Sequence, residues 1–555
     1  MESRRDTITN ALHFSKRLHK IIQLILILPF AAILFALLFR NSSNQQPLIL
    51  HSFINKACSE TFYSSLCHST LSNINVSSNN FTITYFKIIE FAINRTAEHV
   101  KGTRTRILTH FKNQELNLQE KNALQDCMEM LDQTTYELEQ AIENLQSFPL
   151  QRSYGNIKTL LSAAMTNENT CINGFLDLEE LDLGTYSRKG HREHLQNLLT
   201  PISHMISNSL ALIKHVENKN GQEIVKKSRI ALGHRRTRKA RGYVTVSSDG
   251  KGNYTSIGEA IEMAPRMSMS IYVIKIKAGI YKENVLIPRD KINVMLIGDG
   301  MNSTIITGSR NFADGYSTFA SATMTVVGDK FLARDLTIRN TAGPGKHQAV
   351  ALRVTSNAAF YRCEIISHQD TLYAHSLRQL YHDCSIQGTV DFIFGNAAAV
   401  FQNCTILVRK PNPGQRNMIT AQGREDPNQN TGICLQNCTI EAAPEFNLTQ
   451  RRNFSTYLGR PWRNYSRTVV MNSYLGDLIH PRGWYEWDEY STLDTVEYLE
   501  YMNYGPGADT TRRISWAGYK KNCSEDMARQ FRVEGFLHGA DDWLEATVFP
   551  IFGTS

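Results

Sequence analysis

Hydrophobic and polar positions alternate in three different ways along the chain of 555 residues, and each way predicts a different element. Residues 21–39 (I-I-Q-L-I-L-I-L-P-F-A-A-I-L-F-A-L-L-F) carry no charge. At helical rise nineteen residues span ~29 Å, about one bilayer hydrocarbon core. Residues 55–215 place apolar side chains three and four apart, as in Leu124, Met128, Leu131 and Leu138, with Gly and Pro scarce. That period predicts amphipathic helices, most simply an up-down four-helix bundle. From Tyr243 onward the texture becomes short β-branched or aromatic runs divided by turn signals such as Asp249-Gly250, Asp299-Gly300 and Gly343-Pro344-Gly345.

Within that last part a repeat is visible. The segments A-F-Y-R-C-E-I (359–365), L-Y-H-D-C-S-I (380–386), V-F-Q-N-C-T-I (400–406) and C-L-Q-N-C-T-I (434–440) each end in Cys-x-Ile, with Cys-to-Cys steps of 21, 20 and 34 residues. One short strand per 20–25 residues is the mark of a parallel β-solenoid, here expected over about 270–475. The stretch 490–550 is expected to pack on its side or cap it, because an open end leaves an unpaired edge. Residues one period apart stack on neighbouring strands about 4.8 Å apart. Asp370 and Asp391 lie 21 residues apart, and so do Gln348 and Gln369. Two stacked carboxylates beside two amide donors form a candidate catalytic face. The bland alternatives are turn aspartates and a structural glutamine ladder.

Charge and targeting narrow the setting. The net charge of +8 and isoelectric point near 8.8 suit a polyanionic partner. Arg4, Arg5, Lys16, Arg17 and Lys20 precede the uncharged segment and favour a cytoplasmic N-terminus of residues 1–20. Residues 21–39 then read as a signal-anchor rather than a cleaved signal peptide, giving a membrane-anchored precursor in the secretory pathway. This placement argues against nucleic acid as the partner. Twelve N-x-[ST] sequons, among them Asn41, Asn75, Asn80, Asn94, Asn447 and Asn464, agree with an extracytoplasmic glycoprotein. Asn403 and Asn437 fall inside predicted strands and are expected to be unmodified. Residues 216–241 form a polar, basic connector in which Arg235-Arg236 and Arg238-Lys239 offer a dibasic site to a processing protease.

An oxidising compartment lets the ten cysteines pair. Cys58 and Cys67 would close a short loop, and Cys127 and Cys171 would tie two long helices. In the solenoid Cys363, Cys384 and Cys404 occupy equivalent rungs. A Cys384–Cys404 bond is the first choice there, and Cys363–Cys384 the second. No His/Cys cluster has zinc spacing and no D-x-D-x-D-G loop suggests calcium, so neither metal nor cofactor is expected.

Several strings resemble plant pectin methylesterases: A-G-I-Y-K-E-N-V (278–285), Q-D-T-L-Y (369–373), V-D-F-I-F-G-N-A (390–397), L-G-R-P-W (458–462) and G-P-G-A (505–508), in matching order over about 242–550. C-S-E-T-F-Y-S-S-L-C (58–67), A-L-Q-D-C (123–127) and L-S-A-A-M-T-N-E-N-T-C (161–171) resemble the family's inhibitor-type pro-region. The resemblance implies an all-α four-helix bundle followed by a right-handed parallel β-helix that hydrolyses galacturonate methyl esters of cell-wall pectin. It implies Asp391 as nucleophile and Asp370 as general acid and then base, roles that spacing alone does not divide. Thr318 matches a substrate-contacting position.

Ester hydrolysis needs a nucleophile, a proton donor for methanol and donors for the oxyanion. Gln348 and Gln369 supply amide N–H groups, Arg460 would hold Asp391 ionised, and Trp462, Tyr373 and Phe394 could stack on sugar rings. Three departures from the family pattern stand out: His368 precedes Gln369 where an aromatic is usual, the Gln348–Asp370 segment is one residue short, and the basic run lacks a dileucine form. A β-helix glycosidase would also use paired carboxylates, about 5–5.5 Å apart if retaining, and a pectin-binding scaffold would need none of this chemistry. The bundle is expected to mask the site or assist export until the connector is cut.

Overall fold

The computed structural model describes residues 50–74, 81–147, 150–181, 186–224, 243–488, 493–537 and 544. The uncharged segment 21–39, the basic residues ahead of it, Asn41, Asn75, Asn80 and the dibasic pairs lie outside the described residues. Among the described residues no helix is long and apolar enough to cross a membrane.

The N-terminal part is helical as its period predicts. A helical stretch at 50–59 and the short helix Ser64–Leu71 lead into four long helices, Phe81–Phe111, Leu118–Ser147, Leu150–Leu181 and Tyr186–Ile224. Their facing stripes bury Ile88, Val100, Met130, Leu138, Leu161, Ile206 and Ile213 in one core. Disulfides join Cys58 to Cys67 and Cys127 to Cys171, the second linking two long helices. The last helix continues to Ile224, so the polar stretch from 216 begins as helix and not as connector. Its Glu217, Lys219, Gln222 and Glu223 are good helix formers, and one Gly costs only about 1 kcal/mol.

From Tyr243 the chain winds into a tube of parallel strands. Among the described residues one sheet has 17 strands and wraps two walls, and a second has seven. The seven are Val285–Ile287, Met324–Val326, Leu352–Val354, Leu372–Ala374, Ile393–Gly395, Asn417–Gln422 and Thr456–Pro461. The winding outlasts the predicted span: Glu497–Tyr501 pairs with Arg467–Met471, and Tyr519–Lys520 pairs with Glu497–Tyr501. Only beyond these strands does the chain leave the stack, where Phe531, Phe536 and Leu537 cover Val400, Cys434 and Leu499 on the tube's side. At the opposite end helix Ile257–Glu262, capped by Ser256, buries Ile257, Ala260 and Ile261 in the tube core.

The Cys-x-Ile repeat has a simple geometric cause. Each coil turns one corner on a single residue at positive φ, namely Asp335, Arg362, Asp383, Asn403, Asn437, Asn472 and Met502. Asn and Asp accept this conformation at low cost, which explains their frequency there. The next residue then points inward: Leu336, Cys363, Cys384, Cys404 and Cys438 are all buried. The strand that follows adds an inward Ile338, Ile365, Ile386, Ile406 or Ile440. Three residues ahead of the inward cysteine an aromatic does the same. The Phe360, Tyr381 and Phe401 rings stack at 5.1 and 4.6 Å.

Two expectations change as a result. Asn403 and Asn437 are exposed corner residues and do not lie inside strands. Cys384 and Cys404 are not bonded, and Cys363, Cys434, Cys438 and Cys523 are also free thiols. In-register parallel strands hold their Cβ atoms about 4.8 Å apart, whereas a disulfide needs about 3.8 Å. Each thiol points instead at a backbone carbonyl, Cys384 at His382 and Cys404 at Tyr381.

Candidate active site

The seven-stranded sheet builds the site on its outer face. Asp370 and Asp391 are themselves corner residues, with φ of 61° and 48°. Strand pairing sets Leu372 against Ile393 and Tyr373 against Phe394, and Asp370 N–H donates to Val390 O at 3.0 Å. This ladder stands Asp370 level with Asp391 one coil on. Ala349 N–H donates to Gln369 O at 3.2 Å in the same pattern, which sets Gln348 level with Gln369. Just beyond, the register changes, because Leu352 pairs with Leu372, 20 residues away. The Thr371 carbonyl absorbs the odd residue by accepting from both Ala351 N–H (2.9 Å) and Leu352 N–H (3.2 Å). The short Gln348–Asp370 segment therefore does not displace Gln348.

Arg460 comes from the strand Thr456–Pro461, opposite Ala421. Its Nε donates to Asp391 Oδ1 at 2.9 Å and its Nη2 to Oδ2 at 2.5 Å. Such a two-pronged bond fixes the carboxylate plane as well as its charge. Burial pulls the Arg460 pKa down, but the Asp391 charge and hydrogen bonds, with Asp370 behind them, outweigh it and hold the group above its ordinary value. Asp370 and Asp391 are only 8% and 6% exposed, so both sit in a medium that magnifies charge.

The residues around them line a cavity of about 340 Å³ that contains Thr318, Gln348, Gln369, Tyr373, Phe394 and Trp462. Every site residue expected from the sequence is thus brought to one place. Tyr373 and Phe394 stack at 4.2 Å, and Trp462 meets both edge-on at 6.4 and 6.0 Å. Gln415 Nε2 donates to Gln369 Oε1 at 3.5 Å, which leaves the Gln369 amide N–H groups as donors. His368 stays off this wall. Burial, helped by Arg409, pushes its pKa down to about 4, so it is a neutral packing residue at neutral pH.

The masking expected of the bundle came with no named residues, and the bundle supplies part of the cavity wall. Asp126, Thr170, Asn173 and Gly174 from two of the long helices line it, as do Ser317, Phe319 and Trp487 of the tube. Ser317 Oγ donates to Asp126, and burial pushes the Asp126 carboxyl up to about 6. Elsewhere between bundle and tube Thr170 meets His375 at 2.8 Å, Arg463 meets Asn173 at 2.6 Å, Arg378 meets Asn156 at 2.6 Å, and Ser207 meets Asp426 at 2.5 Å. Contacts joining residues more than 150 positions apart leave no local pattern, so no period or spacing announces them. Trp487 had a weak signal, as the second tryptophan of W-Y-E-W.

Comparison with known proteins agrees with this geometry. The pectinesterase family matches residues 243–540, and the plant invertase/pectin methylesterase inhibitor family matches residues 52–212. Pectinesterase 3 of Citrus sinensis is 43% identical over 524 residues, covering 90% of this chain and 88% of its own. Pectinesterase/pectinesterase inhibitor U1 of Solanum lycopersicum is 42% identical over 527 residues, with the same coverage. A solved pectin methylesterase from carrot is 51% identical with a TM-score of 0.55, and covers 59% of this chain and 99% of its own. The matches over both domains place the chain among carboxylic ester hydrolases that carry an inhibitor-type helical domain. The chain belongs to the pectinesterase family.

Proposed function

We propose that the tube hydrolyses methyl esters of homogalacturonan, with Asp391 as nucleophile, Asp370 as acid and base, and Gln348 and Gln369 as oxyanion donors. The observation that carries the division of roles is the fork of Arg460 onto both oxygens of Asp391. Two carboxyls on adjacent rungs do not readily ionise together, and the one locked against a guanidinium keeps the charge. Asp391 then attacks the ester carbonyl, and the oxygen that becomes anionic takes hydrogen bonds from the two glutamine amides. Asp370 gives its proton to the departing methoxide, and methanol leaves. A water molecule, deprotonated by Asp370, attacks the acyl-Asp391 carbonyl. The products are a free galacturonate carboxylate and the original Asp391. Trp462, Tyr373, Phe394 and Thr318 position the sugar.

The bundle in its docked position closes this cleft. Its Asp126, Thr170 and Asn173 stand where a polymer must lie, so the precursor is autoinhibited and the connector is the place to release it. Division of the chain at about 1–20, 21–39, 55–224, 225–241 and 242–550, with membrane insertion through 21–39 and export to the cell wall, belongs to the same reading. The test is methanol release from methylated pectin by residues 242–555 and by the full chain. Residues 242–555 release methanol and Asp391→Ala lowers kcat on the order of 10³-fold with the fold intact. Full activity of Asp391→Ala overturns the mechanism. Equal activity of an uncleaved full chain overturns the masking.

A further inference from the structure

The outer face of the seven-stranded sheet carries one continuous column of side chains. Pairing runs Arg353 to Tyr373, Tyr373 to Phe394, Phe394 to Ala421 and Ala421 to Arg460. The stacked Tyr373–Phe394 pair therefore lies between two arginines on a line parallel to the tube axis. Four strand steps of about 4.8 Å separate the ends by roughly 19 Å. Arg460 is engaged by Asp391, but Arg353 has no part in the reaction just described.

Arg353 is unusual in where its partners come from. It is 4% exposed, and its guanidinium lies 3.3 Å from the centre of the Phe319 ring. Its Nε and Nη1 are buried without a hydrogen-bond partner, and Nη2 is 3.5 Å from Glu129 Oε1. Burial lowers its pKa, and the acids that oppose this are Glu129 and Asp126, both on the bundle helix Leu118–Ser147, with Tyr373 third. The facing His375 adds no charge, since burial and Arg353 together push it down to about 3. A guanidinium with donors to spare, set on the catalytic wall and met only partly by carboxylates of another domain, has the chemistry of an anion site.

We propose that Arg353 is a latent subsite for a free galacturonate carboxylate of the substrate chain, and that Asp126 and Glu129 occupy it in the precursor as stand-ins for that carboxylate. This rests on the esterase reading above and extends it to specificity. The polysaccharide lies along the tube axis over Tyr373 and Phe394, with an already de-esterified residue on Arg353 and the ester under Asp391. Partly de-esterified chains are then preferred over fully methylated ones, and the product of one turnover becomes a recognition element for the next.

The test uses residues 242–555, a portion to which the solved carrot enzyme corresponds as a folded chain without the bundle. The probe is an oligogalacturonate without methyl esters, measured by calorimetry and as an inhibitor of methanol release. Arg353→Gln weakens its binding roughly tenfold or more, the usual scale for losing a charge-assisted bond, and Arg353→Lys restores part of it. The KM for partly de-esterified pectin rises accordingly, and that for fully methylated pectin changes less. In the full chain, Glu129→Gln with Asp126→Asn weakens bundle docking, read as higher activity before cleavage. Equal oligomer affinity in wild type, Arg353→Gln and Arg353→Lys, or an equal KM change on both pectins, overturns the subsite. Arg353-dependent oligomer binding without methanol release would sink the esterase reading and leave the subsite standing.

Discussion

Glu168 sits in the middle of helix Leu150–Leu181 with no exposed surface. Burial pushes its carboxyl from the ordinary 4.5 up to about 8, and the nearby Thr134 hydroxyl pulls weakly the other way without bonding to either carboxyl oxygen. At about 1.4 kcal/mol per tenfold change in proton affinity, that difference is worth roughly 4–5 kcal/mol. The sign follows from which state holds the proton. Below about pH 4.5 folded and unfolded chains are both protonated at this residue, and its contribution is fully present. As pH rises from there to about 8 the unfolded chain ionises while the folded one stays neutral, and stability is lost. Glu168→Gln keeps the shape and removes the charge. Urea unfolding of the full chain, followed by the helical circular-dichroism band so that the bundle is read apart from the tube, should therefore give variant and wild type alike near pH 4 and the variant more stable by several kcal/mol near pH 9. Glu137, also pushed up to about 8 by burial, remains in the variant, so a residual slope persists. A variant with the wild-type slope, or one less stable at high pH, would refute the reasoning.

Other outcomes follow from the site and the thiols. Gln369→Ala should lower kcat on the order of 10²-fold with KM little changed, because its donors act on the oxyanion that forms only during reaction. A large KM effect at constant kcat would make it a binding residue instead. Denatured, unreduced protein should titrate six thiols with a chromogenic disulfide reagent, since only Cys58–Cys67 and Cys127–Cys171 are bonded. A count of four would restore a bond in the tube.

The repeat was legible because a solenoid writes its geometry into local sequence. A corner residue, an inward cysteine and an inward isoleucine recur once per coil, and the 21-residue step of Asp370 and Asp391 is the step of the wall they stand on. What stayed hidden were contacts between domains. Asp126 and Arg353 are separated by 227 positions and Asp126 lies outside the repeat, so only docking brings them together. The cysteines misled for a related reason: equal rungs imply proximity, but inward side chains on parallel strands keep one strand spacing and do not converge. The end of the winding was missed because the last strands, Glu497–Tyr501 and Tyr519–Lys520, lack the cysteine that marks the others.

The shared carbonyl of Thr371 has an effect on how this architecture tolerates change. Upstream of it the coil advances by 21 residues and across Leu352–Val354 by 20, and the next wall returns to 21 where Ala358 pairs with Gln379. The one-residue slip is thus confined between Ala351 and Ala358, and the rungs that carry Gln348 and the next wall keep the same step.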